Sequence, residues 1–231
     1  SPSDAERFLI ANLAYEQGDY QKAIHQYSLL LNQGVASGGA TPAGEIHFNL
    51  GNAFFRSNHL GQAIFHFRKA LQFMPRDPDI KYNLEFAREK VSDQIEEASP
   101  FSTPVFAFTD FFTAREHYLI ALFWGLISFG VSLLNLYLKR PATKYTQNAT
   151  VAILILALLT LFIREYTFHE FGVVSAPEIS VYSGFERDSV VLFRLHEGAE
   201  FDQTDSAGEV WTKIRLADGK KGWVRSAEIL F

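Results

Sequence analysis

The 231-residue sequence has no cysteine. That removes disulfides, thiolate catalysis, cysteine metal ligands and an attachment point for a lipoprotein anchor. The seven histidines, His25, His47, His59, His66, His117, His169 and His196, lie on unrelated stretches and make no ligand spacing, so no metal is implied. A phosphate loop, a dinucleotide glycine pattern, a Gly-x-Ser-x-Gly elbow and an HExxH pair are all missing, so no cofactor is implied and no catalytic residue stands out. Acidic residues are plentiful but pair into no recognisable site, which argues against an enzyme. Positive charge is also scarce. The net charge is −5, and acids outnumber bases both in residues 1–97 and in residues 164–231. Neither flank offers the field that phosphate binding needs, which argues against nucleic acid as a partner.

Charge is wholly absent from two runs, Tyr118 to Leu138 with 21 residues and Tyr145 to Ile163 with 19. At about 1.5 Å per residue they reach roughly 31 and 28 Å, close to the ~30 Å hydrocarbon thickness of a bilayer. A soluble alternative would bury both as core helices. The flanks of 117 and 68 residues are too short to wrap two adjacent apolar helices on all sides. The expectation is a transmembrane hairpin over 118–163, with a loop at 139–144 that carries Lys139, Arg140 and Lys144. The positive-inside rule then places the loop in the cytoplasm and both termini on the outer side. An exported first flank needs an earlier signal, and Ser1 is the kind of small residue that a removed signal peptide leaves behind. On the first run Ala121, Gly125, Ser128, Ser132 and Asn135 form one stripe of small and polar residues, and Thr150, Ala157 and Thr160 form a weaker stripe on the second. Such a stripe serves either packing within the hairpin or docking with a partner's membrane helices.

The first flank repeats itself at a spacing of 40 residues: ANLAYEQGDYQKAIHQYSLLL at 11–31 aligns with GNAFFRSNHLGQAIFHFRKAL at 51–71. Small residues at Ala11 or Gly51 and at Ala23 or Ala63 let paired helices approach, and aromatics fill the space beside them. This pattern resembles the tetratricopeptide repeat (TPR), whose unit is 34 residues, with the Gly-rich stretch from Gly34 to Gly44 as a longer loop. A charged helix from about Asp79 to Glu97, with Ile80, Leu84, Ala87 and Val91 at helical spacing, is expected to cap the stack, so that the repeat domain covers 1–97. The resemblance implies a concave face of Phe8, Asn12, Tyr15, Phe48, Asn52, Phe55 and Arg56. On a functional reading Asn12, Asn52 and Arg56 hold the backbone or carboxylate of an extended peptide while the aromatics pack on it. On a packing reading the aromatics simply meet the neighbouring helix.

Residues 98–117 form a linker whose ASPFSTPVFAFTDFF stretch suits a membrane surface, and Thr113 with Glu116 makes a capping box for the first span. After Glu170 the period becomes alternating, with β-rich runs at Phe171–Val174, Ile179–Tyr182, Val190–Leu195 and Val210–Leu216. The ending WTKIRLADGKKGWVRSAEIL resembles the bacterial SH3-like domain, which implies a small β-barrel over 170–231. Ile214 and Leu216 face its core, and Trp211, Lys213 and Arg215 face away. Together with Trp223 these offer a platform for an anionic or peptide ligand, or the two tryptophans serve the core of a small domain.

The order of parts is all-α TPR-like repeats, a two-helix transmembrane hairpin and an all-β SH3-like barrel. This multidomain membrane architecture resembles the BatE-type members of the Bat (aerotolerance) group of bacterial envelope proteins. The resemblance implies a non-catalytic scaffold in the bacterial inner membrane with two periplasmic modules. Its partners would be other Bat proteins and membrane proteins with von Willebrand A domains, in a system that includes a MoxR-type AAA+ ATPase on the cytoplasmic side. The competing expectation is a cell-wall sensor whose SH3-like domain grips peptidoglycan.

Overall fold

The computed structural model describes residues 2–32, 43–93, 95, 111–138, 141–167 and 171–231. Two helix pairs build the repeats: α1 (Asp4–Glu16) with α2 (Tyr20–Asn32), and α3 (Ala43–Arg56) with α4 (Leu60–Phe73). Each start has a local cause. Ser3 and Glu6 close a capping box at α1, and the Asp19 carboxylate accepts from the Lys22 N–H at the start of α2. The turn inside each pair needs a left-handed residue, supplied by Gly18 (φ 79°) and, 40 positions on, by Asn58 (φ 63°). Ala11, Ala23, Leu50, Ala53 and Ala63 are fully buried between the helices. At Gly51 an added Cβ would sit 2.5 Å from the Phe67 ring, so the closest approach of α3 to α4 depends on its missing side chain.

Helix α5 (Pro78–Arg88) opens at Asp77, whose side chain accepts from the N–H groups of Asp79 and Ile80, and it buries Ile80, Leu84 and Ala87. It ends at Arg88 rather than running on to Glu97 as the helical spacing of Val91 suggests. Beyond it the chain leaves for the β domain: Asp93 bonds His196, and Ile95 packs on the sheet's core. Val91 is apolar because it meets Gly198, not because a helix continues.

The C-terminal segment forms β1 (Phe171–Val174), β2 (Glu178–Tyr182), β3 (Val191–His196), β4 (Glu200–Ala207), β5 (Trp211–Arg215), β6 (Lys221–Arg225) and β7 (Ile229–Leu230). They make one antiparallel sheet in the order β3-β2-β6-β5-β4-β1-β7. The sheet curls enough that Val174, Val181, Leu195, Phe201, Ile214, Val224 and Ile229, from all seven strands, share one core. Expected as a barrel, it is open, since no ladder joins β3 to β7 among the described residues. Strand β7 has only two residues, and at the free edge of β3 the His196 N–H donates to Asp93 at 2.6 Å.

Helices α1–α5 and the sheet belong to one compact unit. Phe171 and Val173 of β1 join Ile64, Phe67, Ile80 and Leu84 in a shared core. At the seam the Gly61 N–H donates to Glu197 Oε1 at 3.0 Å, and a Cβ on Gly61 would collide with the Val174 carbonyl oxygen. Glu200 accepts from Arg68 at 2.6 Å and from Arg88 Nε at 2.6 Å. The Arg68 guanidinium also lies over the Phe171 ring, 4.1 Å from its centroid.

The second unit is a hairpin of α6 (Ala114–Leu138) and α7 (Pro141–Thr167), both long and apolar enough to cross a membrane. The capping box at its start is present: Thr113 N–H donates to Glu116 Oε2 at 2.8 Å, and Glu116 N–H donates to Thr113 Oγ1 at 3.2 Å. Helix α7 begins four residues before the apolar run, at Pro141, a residue preorganised for the first helical position. Residues 141–144 of the expected loop are therefore helical, and Lys139 and Arg140 lie outside the described residues. So do most of the Gly-rich stretch before α3 and residues 98–110 of the stretch expected at a membrane surface.

Candidate functional site

A groove of about 240 Å³ opens on the repeats, lined by Tyr15, Asn52, Phe55, Arg56, Phe67, Tyr82, Asn83 and Phe86. Four of the seven residues expected on the concave face line it. Asn83 Nδ2 donates to Asn52 Oδ1 at 2.8 Å. Among the described residues the Asn52 amide nitrogen and the Asn83 carbonyl oxygen have no partner, so the pair presents a donor group and an acceptor group, the complement of a peptide group. Arg56 lies over the Tyr20 ring, 5.3 Å from its centroid, and its charge is exposed beside the groove. Burial raises the Tyr15 hydroxyl pKa more than Arg56 lowers it, so this group is a hydrogen-bond donor at neutral pH.

The other three expected residues are committed to packing. The Asn12 carboxamide oxygen accepts from the Tyr27 hydroxyl at 2.5 Å, Phe8 meets the Tyr27 ring edge-on, and Phe48 meets Phe67. In their place α5 contributes Tyr82, Asn83 and Phe86. Tyr82 and Phe86 are an i, i+4 aromatic pair on the face opposite Ile80, Leu84 and Ala87, and their rings stack at 6.3 Å. That second stripe is visible in the sequence once α5 is drawn as a wheel.

On the sheet Lys213 lies opposite Trp223, and Trp211 lies opposite Arg225, so Trp211, Lys213, Arg215 and Trp223 share the outer face. Ile214 and Leu216 are buried on the inner face as expected. Trp223 is covered by Phe185 at 4.9 Å and by Lys213, whereas Trp211 is half-buried. Arg215 pairs with Asp202 at 3.1 Å.

On α6 the stripe Ala121, Gly125, Ser128, Ser132 and Asn135 is less exposed than the flanking residues. Asn135 Nδ2 donates to Gln147 Oε1 at 2.6 Å, and Gln147 Nε2 donates to Ser132 Oγ at 3.1 Å. Ser132 and Asn135 of the stripe thus bond across the hairpin. Their partner Gln147 was not singled out because it lies between Tyr145 and Thr150 with no apolar pattern around it.

Residues 44–77 match the model of the tetratricopeptide repeat family, one full unit spanning α3, α4 and the turn to α5. No curated protein matches the chain.

Proposed function

We propose that the chain is a non-catalytic scaffold held in the bacterial inner membrane by α6 and α7, whose repeat groove grips an extended segment of a partner membrane protein. A repeat of this family suits protein–protein interaction. The observation that carries the reading is the groove itself, where a paired donor and acceptor from Asn52 and Asn83 stand among Tyr15, Phe55, Tyr82 and Phe86 beside Arg56. Main-chain hydrogen bonds would give affinity, and the aromatics would select apolar side chains. With both termini outside, the repeats and the sheet meet partners in the periplasm. The resemblance of the architecture to the Bat group makes von Willebrand A domain proteins and other Bat proteins the partners of choice. Only two residues separate α6 from α7, so any link to a MoxR-type ATPase runs through those partners.

Copurification of the full chain from native membranes, followed by identification of the bound proteins, tests the assembly. Membrane proteins should be recovered with the natural chain and lost with Asn52→Ala combined with Arg56→Gln. Recovery of none, or recovery that the double variant leaves unchanged, contradicts it. Orientation is tested in intact spheroplasts with a membrane-impermeant thiol reagent: a cysteine placed at Ser206 should react and one at Thr143 should not.

A further inference from the structure

A second depression, of about 260 Å³, lies on the outer face of the sheet, lined by Tyr182, Phe185, Glu186, Arg187, Ser189, Trp211 and Arg225. Its floor is aromatic: Tyr182 meets Trp211 edge-on at 5.5 Å, and the Arg225 guanidinium lies over the Trp211 ring at 5.9 Å. A stacked guanidinium keeps its N–H edge free for an anion. The β2–β3 loop that forms one wall is held by its own hydrogen bonds. Ser183 N–H donates to the Val190 carbonyl at 2.9 Å, Val190 N–H donates to Ser183 Oγ at 3.2 Å, and Ser189 N–H donates to the Glu186 carbonyl at 3.1 Å.

The arginines of this sheet divide into two kinds. Arg194 pairs with Glu178 at 2.6 Å and Arg215 with Asp202 at 3.1 Å. Arg187 and Arg225 have no carboxylate within ion-pair distance among the described residues, and both line the depression. We infer that this surface is a second docking site, which takes an acidic extended segment of a partner protein. A carboxylate binds between Arg187 and Arg225, and the apolar side chain next to it rests on Trp211 and Tyr182.

Size and charge decide the class. The volume falls below the roughly 300–1,000 Å³ typical of cofactor and small-molecule sites, so it fits one or two side chains of a longer chain. Anionic membrane surfaces are read by clusters of about 4–8 basic residues. Here Glu186 and Asp188 sit in the same loop as Arg187, so attraction is local and directional rather than a broad field. Charge complementarity therefore favours a single well-placed carboxylate.

The test uses the full chain in detergent and a fluorescein-labelled peptide of alternating Glu and Phe, read by anisotropy against the same peptide with Gln for Glu. The acidic peptide should bind at least tenfold tighter than the neutral one. Arg187→Gln and Arg225→Gln should each weaken it about fivefold, and Glu186→Gln should tighten it, because that change removes an acid that lines the depression. All three side chains are exposed, so the variants should keep their fold, which circular dichroism checks. Equal binding of the two peptides overturns the site, as does binding that responds to Arg56→Gln instead, which would place the peptide in the repeat groove. Phosphatidylglycerol vesicles or soluble peptidoglycan fragments that bind through Arg187 and Arg225 while the acidic peptide does not also overturn it.

Discussion

Between α3 and α4, His47 and His66 meet Nδ1 to Nδ1 at 2.9 Å, so they share a single proton and at least one ring is a neutral acceptor. Phe54 stacks on His66 at 5.3 Å and Phe73 on His47 at 6.0 Å. Burial among these rings pushes His47 down to about 4 and His66 down to about 3, and Lys69 adds to both. Both imidazoles are therefore neutral in the folded protein at pH 5, whereas in the unfolded chain each titrates near 6.5. The unfolded state binds more protons in that window, so stability is full above about pH 6.5 and falls as pH drops toward 4. His196 has the opposite sign. Its hydrogen bond and charge contact with Asp93 raise its pKa, so its contribution is present below about 6.5 and lost as pH rises through the folded value. The difference between variants isolates the buried pair. His66→Phe should flatten the fall in Tm between pH 7 and 5 relative to the natural chain, and parallel profiles for the two proteins would count against the assignment.

Gly51 shows how an element can depend on one missing side chain. In an open helix interior Gly→Ala stabilises by about 0.5–1 kcal/mol. Here the new methyl would stand 2.5 Å from the Phe67 ring, which is itself packed in the core shared by α3, α4 and α5. Overpacking of this kind costs roughly 1–3 kcal/mol and outweighs the gain in propensity. Gly51→Ala should therefore lower stability by about 1 kcal/mol, read from denaturant midpoints, while a rise would show that Phe67 moves aside freely. The 40-residue period, the small residues at Ala23 and Ala63 and the Thr113–Glu116 capping box were all legible in the sequence, because each is a local pattern of residue types. Strand β4 was not. Its sequence EFDQTDSA buries only Phe201 and carries no alternating apolar signal, so pairing with β1 and β5 decides its structure. Three of the eight groove residues were hidden for a related reason, since α5 reads as a charged cap until the Tyr82 and Phe86 stripe is set against its buried face.

At the scale of the molecule, repeats and sheet looked like separate modules, because nothing local links residues near 61–93 to residues 171–200. The contacts that join them use residues with ordinary local readings: Gly61 as a helix glycine, Gly198 as a turn, Glu200 as a surface acid. In the fold Glu200 is held by Arg68 and Arg88, one on α4 and one on α5, and its side chain is only 20% exposed. Burial opposes its ionisation, and the hydrogen bonds and charges of the two guanidinium groups outweigh that, holding its carboxyl below the usual range. Its contribution is present above about pH 4.5 and lost as pH falls through the folded value. Glu200→Gln leaves two guanidinium groups facing a neutral amide and should cost roughly 2–3 kcal/mol. Because Glu200 stands on β4 and its partners on α4 and α5, that loss should be felt on both sides at once. Hydrogen exchange on the full chain reads this directly: amides of α4 and of β1 should lose protection together in the variant, by one common factor. Loss confined to the sheet, with α4 unchanged, would mean that the repeats and the sheet open independently and that the shared core of Phe171, Val173, Ile64 and Phe67 does not couple them.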